Sequence, residues 1–354
     1  MREVNGLISL PPGVGVLGTG AHVPEAIRTN EEVAGRAGVS AEWIAERTGV
    51  RRRHVAAPGE AASDLAAHAV RAALRSAGLR PGDLDLLILA TSTPDELGPS
   101  TACRVQALLG AENAVALDVS AACAGWLFGT RVASDWLRLE RPGRHAAVVG
   151  VEAYSRFLDD ADRGTAVLFA DGAGAAVLGT VAAGHGFGPI ILGSDGTRAG
   201  DVLIPGGGSR LPASHETVER GLHRIHMDGR AVRKFILEIF PLAAAQALRE
   251  SGLTRDDIAL VVTHQPNPVL LRQACAEAGF APERLVIVAD RVGNIGAGAL
   301  PYALADAHRQ GRLRPGDHVL IVAFGAGLTW GSGVLTWSAG NPSADRGSHA
   351  AGDS

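Results

Sequence analysis

The strongest constraint on this chain is an internal repeat. The segments LRSAGL at 74–79 and LRESGL at 248–253 coincide when the sequence is shifted by 174 residues. Without a gap, the same shift pairs Asp83 with Asp257, Leu84 with Ile258, Leu86 with Leu260, Ile88 with Val262, and 146–149 with 320–323. Solenoid units repeat every ~20–50 residues, so this period points to duplication of a whole domain. Apolar runs at Leu84–Ala90, Ala114–Val119, His145–Val151, Ile258–Thr263, Leu285–Val288 and His318–Ala323 alternate with segments of helical period. That alternation predicts an α/β protein whose strands are covered on both faces by helices. The order helix, strand, strand, helix, strand occurs twice, giving halves of 1–180 and 181–337 packed about a pseudo-twofold axis.

Local chemistry supports this division. The stretch 62–77 reads as a helix that starts near Ser63 and Asp64 and stops at Gly78, with Pro81 just beyond. Residues 181–230 (GHGFG, GSDGT, PGGGS) break the pattern as an irregular excursion at the junction, and 338–354 read as a disordered tail. The glycines at 171–174 and 206–208 lack the spacing of a phosphate-binding or dinucleotide loop and read as tight turns.

The 33 basic and 37 acidic residues leave a formal charge of −4, which excludes a global field for nucleic acid or an anionic membrane. All of the basic residues but Lys234 are arginine. No apolar run approaches the ~18 residues of a membrane span, and the first residues lack the pattern of an export signal. Three widely spaced cysteines fit neither a disulfide framework nor a metal site, so a cytoplasmic protein with no metal is expected.

Cys123 sits in LDVSAACAGW, where a strand gives way to a helical segment. Unpaired amides and the positive dipole end at a helix start favour a thiolate, the attacking form of sulfur, so the thiol pKa is expected below its free value. Ala121, Ala122, Ala124 and Gly125 leave room for a thioester. Cys103 and Cys275, in Ala-rich helical stretches, read as core cysteines. His264 follows the strand 258–263 directly, at the carboxyl end where α/β sheets gather ligands. Asn294 lies in the strand-to-helix turn DRVGNIGAG, in which Ala297 is the repeat partner of Cys123, so two equivalent turns should meet across the axis.

These residues resemble the thiolase superfamily and, within it, the β-ketoacyl-acyl-carrier-protein synthase III family, over about residues 12–337. The motifs are AACAG around Cys123, His-Gln-x-Asn from His264, Gly-Asn at 293–294 and FGAGLTWG at 324–331, with EWIxxRTG at 42–49 and DRG at 162–164 in support. The resemblance implies a layered α-β-α-β-α architecture and a homodimer. It further implies that Cys123 takes an acyl group from a coenzyme A thioester, and that malonyl-acyl carrier protein then loses carbon dioxide while His264 and Asn294 donate hydrogen bonds to its carbonyl. The backbone amides of Cys123 and Ala326 would form a second oxyanion hole. Coenzyme A is a substrate here, and no cofactor is implied.

The resemblance also assigns Trp43, Arg47, Thr48, Arg163 and Asn267 to coenzyme A. Arg230, Arg233 and Lys234, at i, i+3 and i+4 on one helix side, are the candidate docking face for an acidic carrier protein. The acyl pocket would use Tyr154, Phe169, Val202, Ile204 and Ile225. It would also use Gly98, from a loop that crosses to the partner subunit, where the family often carries an aromatic ring. Losing that ring opens space for a starter larger than acetyl, in fatty acid or polyketide priming. Val269, Pro266 and Ile295 are further departures near the site. An acyltransferase that forms no carbon–carbon bond on the same scaffold, a Cys-His-Asn protease and a non-catalytic assembly partner are the competing readings.

Overall fold

The computed structural model describes residues 13–339; the tail beyond lies outside them. Alternation along the strands decides the layering. In Leu86–Ala90, Leu86 and Ile88 point to one hydrophobic cluster while Leu87 and Leu89 point to another, and Ala146–Ala153 divides in the same way. Each strand is therefore buried on both faces.

The first sheet runs in the order Gly13–His22, Asp171–Val181, Ala146–Ala153, Leu86–Ala90, Val115–Val119. The second contains Ile258–Thr263, His318–Gly325 and Thr329–Thr336, with Gly186–Phe187 and Ile191–Ser194 on the far side. Helices Ala62–Ala77 and Thr101–Leu109 cover the outer face of the first sheet. Helices Gly229–Ser251 and Pro268–Glu277 cover the outer face of the second. Between the sheets lie helices Gly125–Leu139 and Ala299–Arg309, packed in one shared core. The result is five layers, α-β-α-β-α.

The duplication persists in detail. Helices Ala62–Ala77 and Gly229–Ser251 end 174 residues apart on left-handed glycines, Gly78 at φ 68° and Gly252 at φ 66°. The one-turn segments Ala122–Ala124 and Gly296–Gly298 are offset by the same interval, as are the starts of the two inner helices. Helix Ala62–Ala77 spans the predicted residues, although its start is marked differently: the Asp64 carboxylate accepts from the Ala61 amide at 2.9 Å, while the Ser63 amide donates to Asp95 at 3.0 Å.

Three sequence expectations are corrected. Leu285–Val288 is not a strand; it makes one parallel bridge, Val261 to Leu285. The buried Gln265 side chain takes over the ladder, donating to Val286 O at 2.9 Å and accepting from Val288 N at 3.0 Å. Residues 171–174 are no turn but open the strand Asp171–Val181, where glycine is needed because a Cβ at Gly174 would collide with the Tyr302 backbone. Cys103 is exposed rather than in the core, while Cys275 is buried. Among the described residues no helix is long and apolar enough to cross a membrane.

The halves meet where a strand of one presses on the turn of the other. A Cβ at Gly150 would strike the Ala297 carbonyl, and one at Gly325 would stand 2.8 Å from the amides of Cys123 and Ala124. Gly150→Ala should therefore destabilise the protein by about 1–3 kcal/mol through overpacking. Scanning calorimetry should show a melting point several degrees lower, and an unchanged one would refute this account of the contact.

Candidate active site

Three turns converge on one cavity of about 1260 Å³, lined by Cys123, His264 and Asn294 together. Cys123 is central in Ala122–Ala124, directly before helix Gly125–Leu139. Ala122, at φ 45°, is the only non-glycine residue in the left-handed region among those described. Such a conformation costs about 1–2 kcal/mol and survives where surrounding contacts enforce it. Here the Thr329 hydroxyl lies 3.0 Å from the Ala121 carbonyl and 3.2 Å from that of Ala326, joining the nucleophile turn to the turn of the opposite half. Ala326 also lines the cavity and keeps an ordinary negative φ, so alanine serves there without strain.

The expected low thiol pKa is not what the site produces. Burial, and then the charge of Glu152, push the Cys123 thiol up to about 12, against the weaker help of the Tyr154 hydroxyl 3.8 Å from Sγ. Burial in the site thus works against the helix end that the sequence shows.

His264 emerges from strand Ile258–Thr263, with its amide donating to Val322 O at 3.1 Å and its ring edge-on to Phe324 at 5.4 Å. Burial drives the imidazole down to about 3, partly opposed by the Gly296 backbone. Asn294 is pinned to the other half: its amide donates to Leu168 O at 2.8 Å and its carbonyl accepts from Ala170 N at 2.9 Å. Its Oδ1 accepts from Gly296 N at 3.0 Å, leaving the amide nitrogen as the free end. Gly293, at φ 81°, permits this turn, since a Cβ there would meet Ala170 Cβ at 2.6 Å.

One wall beside Cys123 is apolar, with Tyr154, Phe169 and Ile225 buried together and Val202, Ile204 and Met227 packed on them. Gly98 is exposed and does not line this chain's cavity. The mouth carries Trp43, Arg47, Thr48, Arg163 and Asn267. Thr48 and Asn267 already serve local structure. Thr48 donates to Ile44 O at 2.6 Å, and Asn267 caps helix Pro268–Glu277 through Leu270 N at 3.0 Å. Arg230 and Arg233 also line the mouth, whereas Lys234 lies outside it, 3.9 Å from Glu238. Arg47, Arg163, Arg230 and Arg233 make no ion pair among the described residues, and with Glu46 and Asp228 the only carboxylates lining the cavity, the mouth carries a cationic excess.

Sequence reasoning gave no role to Thr329, Glu152 or the Gln265 side chain. Gln265 could have been suspected from its place in the His-Gln-x-Asn motif, whereas nothing local marks the other two.

Comparison with known proteins is consistent with this geometry. Residues 117–196 match the family model described as 3-oxoacyl-[acyl-carrier-protein (ACP)] synthase III, and 248–337 match its C-terminal counterpart. A β-ketoacyl-[acyl-carrier-protein] synthase III from Caldanaerobacter subterraneus subsp. tengcongensis is 45% identical over 324 residues, covering 92% of this chain and 98% of the relative. The solved structure of the Thermus thermophilus synthase III is similar at 42% identity and a TM-score of 0.83, covering 92% and 99%. The priming β-ketosynthase of the R1128 polyketide biosynthetic pathway is similar at 32% identity and a TM-score of 0.84, covering 95% and 99%. The fold is thus that of the thiolase-like condensing enzymes.

A pKa lowered from 6.5 to about 3 keeps the His264 imidazole neutral throughout the physiological range, with protonation only in strong acid. NMR of ring-labelled histidine should show the His264 resonance unmoved as pH falls through 6.5, and a shift there would contradict the site described.

Proposed function

Since the chain belongs to the β-ketoacyl-acyl-carrier-protein synthase III family and is a condensing enzyme, we propose that it joins an acyl group from coenzyme A to malonyl-acyl carrier protein through acyl-Cys123. The observation that carries this reading is the meeting of Cys123, His264 and Asn294, from both halves, on one cavity with a cationic mouth.

The phosphates of coenzyme A meet unpaired guanidinium groups at the mouth, and Trp43 with Arg163 offers planar surfaces to the adenine. The pantetheine arm then reaches Cys123. The sulfur attacks the thioester carbonyl, whose developing oxyanion faces the amides of Cys123 and Ala326. Coenzyme A leaves, and the malonyl thioester takes its place. As its carboxylate departs as carbon dioxide, negative charge gathers on the thioester oxygen. A neutral His264 and the Asn294 amide donate hydrogen bonds to that oxygen. A protonated imidazole would be costly in this buried site; a neutral donor stabilises the enolate without surrendering its proton. The carbanion attacks acyl-Cys123, the carbon–sulfur bond breaks to release a thiolate, and uptake of one proton from water restores the thiol. Arg230 and Arg233 form the docking face for the acidic carrier protein, with Lys234 at its rim.

Retention of both His264 and Asn294 favours condensation over simple acyl transfer. With Gly98 in place of an aromatic ring, the acyl wall of Phe169, Val202, Ile204 and Ile225 leaves room for a starter larger than acetyl, in fatty acid or polyketide priming. A second copy completes the site: Val115 on the unpaired edge strand is 60% exposed and Leu97, beside Gly98, is 86% exposed, both suited to burial in a homodimer.

Mass spectrometry of the wild type with a panel of acyl-coenzyme A thioesters should show a dimer under native conditions and one acyl group per chain, absent in Cys123→Ala. His264→Ala and Asn294→Ala should each slow carbon dioxide release from malonyl-acyl carrier protein by about a hundredfold or more. An unmodified Cys123, or undiminished decarboxylation in both variants, would defeat the proposal. Rates with branched or longer acyl groups should exceed those with acetyl, and a sharp acetyl optimum would reject the enlarged pocket.

A further inference from the structure

Glu152 is a fully buried carboxyl group for which the condensation steps above have no use. It lies at the end of strand Ala146–Ala153, and its contacts carry no cation. Both oxygens accept from Ser92 N at 3.1 Å, one accepts from Thr93 Oγ1 at 2.9 Å, and the Thr91 hydroxyl and Ala297 amide lie 3.4 Å away. Two residues on, the buried Tyr154 packs beside this carboxylate and touches the nucleophile. Its hydroxyl is 3.8 Å from Cys123 Sγ and also favours the ionised form of Glu152. The ring is held edge-on to Phe169 at 4.8 Å. Gly296 makes room for both side chains: a Cβ there would lie 2.6 Å from Glu152 Cγ and 2.7 Å from the Tyr154 oxygen. Thiol, phenol and carboxylate thus form one sequence of neighbours that crosses the apolar wall.

We propose that Tyr154 and Glu152 provide the path by which Cys123 loses its proton as the sulfur attacks the acyl-coenzyme A carbonyl. This inference rests on the acyl-Cys123 reading. The S–H bond breaks as the new sulfur–carbon bond forms, the proton passes to the Tyr154 oxygen, and the phenolic proton passes to the Glu152 carboxylate. When the bond from carbon to the coenzyme A sulfur breaks, the proton returns through Tyr154 to that sulfur. Coenzyme A leaves as a thiol, and Glu152 is ionised again. Tyr154 is the catalytic group, since it touches the reacting sulfur; Glu152 acts through it.

The electrostatics agree with this direction of transfer. Burial raises the Glu152 carboxyl to about 7 and lowers His264 to about 3, so the carboxylate is the stronger proton acceptor. The groups facing Glu152 are Thr91, Ser92 and Thr93 from one loop, the Ala297 amide from the Asn294 turn, and Tyr154 and Cys123. Its ionisation near neutrality is therefore set by this cluster.

Tyr154→Phe keeps the ring and removes only the hydroxyl. Single-turnover acylation of Cys123 by a thioester that modifies the wild type should be followed across pH, with Glu152→Gln as the second variant. The wild-type rate should step upward near pH 7, as Glu152 ionises. Both variants should be slower at neutral pH by about a hundredfold, lose that step, and approach the wild type as alkali ionises the thiol directly. A merely structural lesion would leave a gap that does not close with pH. Acylation of Tyr154→Phe within twofold of the wild type, with the same step, would overturn this inference alone. A wild type that never acquires the acyl group would instead defeat the function on which it rests.

Discussion

Close backbone contact between two duplicated turns is the constraint on which the rest of this molecule depends. Gly150 lets the first half press against Ala297, and Gly325 lets the second half press against the amides of Cys123 and Ala124. Protein interiors are nearly incompressible, so one methyl group at either point would move a catalytic turn. The same approach allows Thr329 to reach the Ala121 carbonyl and Asn294 to bond with Leu168 and Ala170. Each half thereby holds the other's functional residue in place, and neither half contains a complete site.

The interior and the mouth of the site follow opposite electrostatic rules. Inside, burial favours neutral forms: the Cys123 thiol rises, the His264 imidazole falls, and the Glu152 carboxyl rises to about 7. Neutral groups suit a reaction whose negative charge is transient and must be met by donors already in position. At the mouth, four arginines that make no ion pair among the described residues face water. Phosphate and an acidic surface can be recognised there at little desolvation cost, while the reacting carbonyl enters a region of low polarity.

Much of this arrangement was legible in the chain. The 174-residue repeat located the paired helices, the central strands and the two facing turns, because duplication preserves hydrophobic period and cap glycines together. Cys123, His264 and Asn294 were readable from their places at strand ends, and the residues assigned to coenzyme A lie around the cavity mouth. What escaped was long-range. Leu285–Val288 has the composition of a strand, yet Gln265 occupies its hydrogen-bonding groups. The surroundings of the thiol escaped as well, because a helix start is visible locally, whereas burial and the charge of Glu152 are not.

The residues alone determined a duplicated α/β chain, the register of its halves and the turns that carry Cys123, His264 and Asn294, since these depend on periodicity and neighbours along the chain. Tertiary structure decided which groups carry charge, which hydroxyl braces the strained Ala122 turn, and that a buried carboxylate stands behind Tyr154. The physical reason is that solvation and close contact belong to positions in space: Glu152 and Ala297 are distant in sequence and touch only because two glycine-lined surfaces close upon each other.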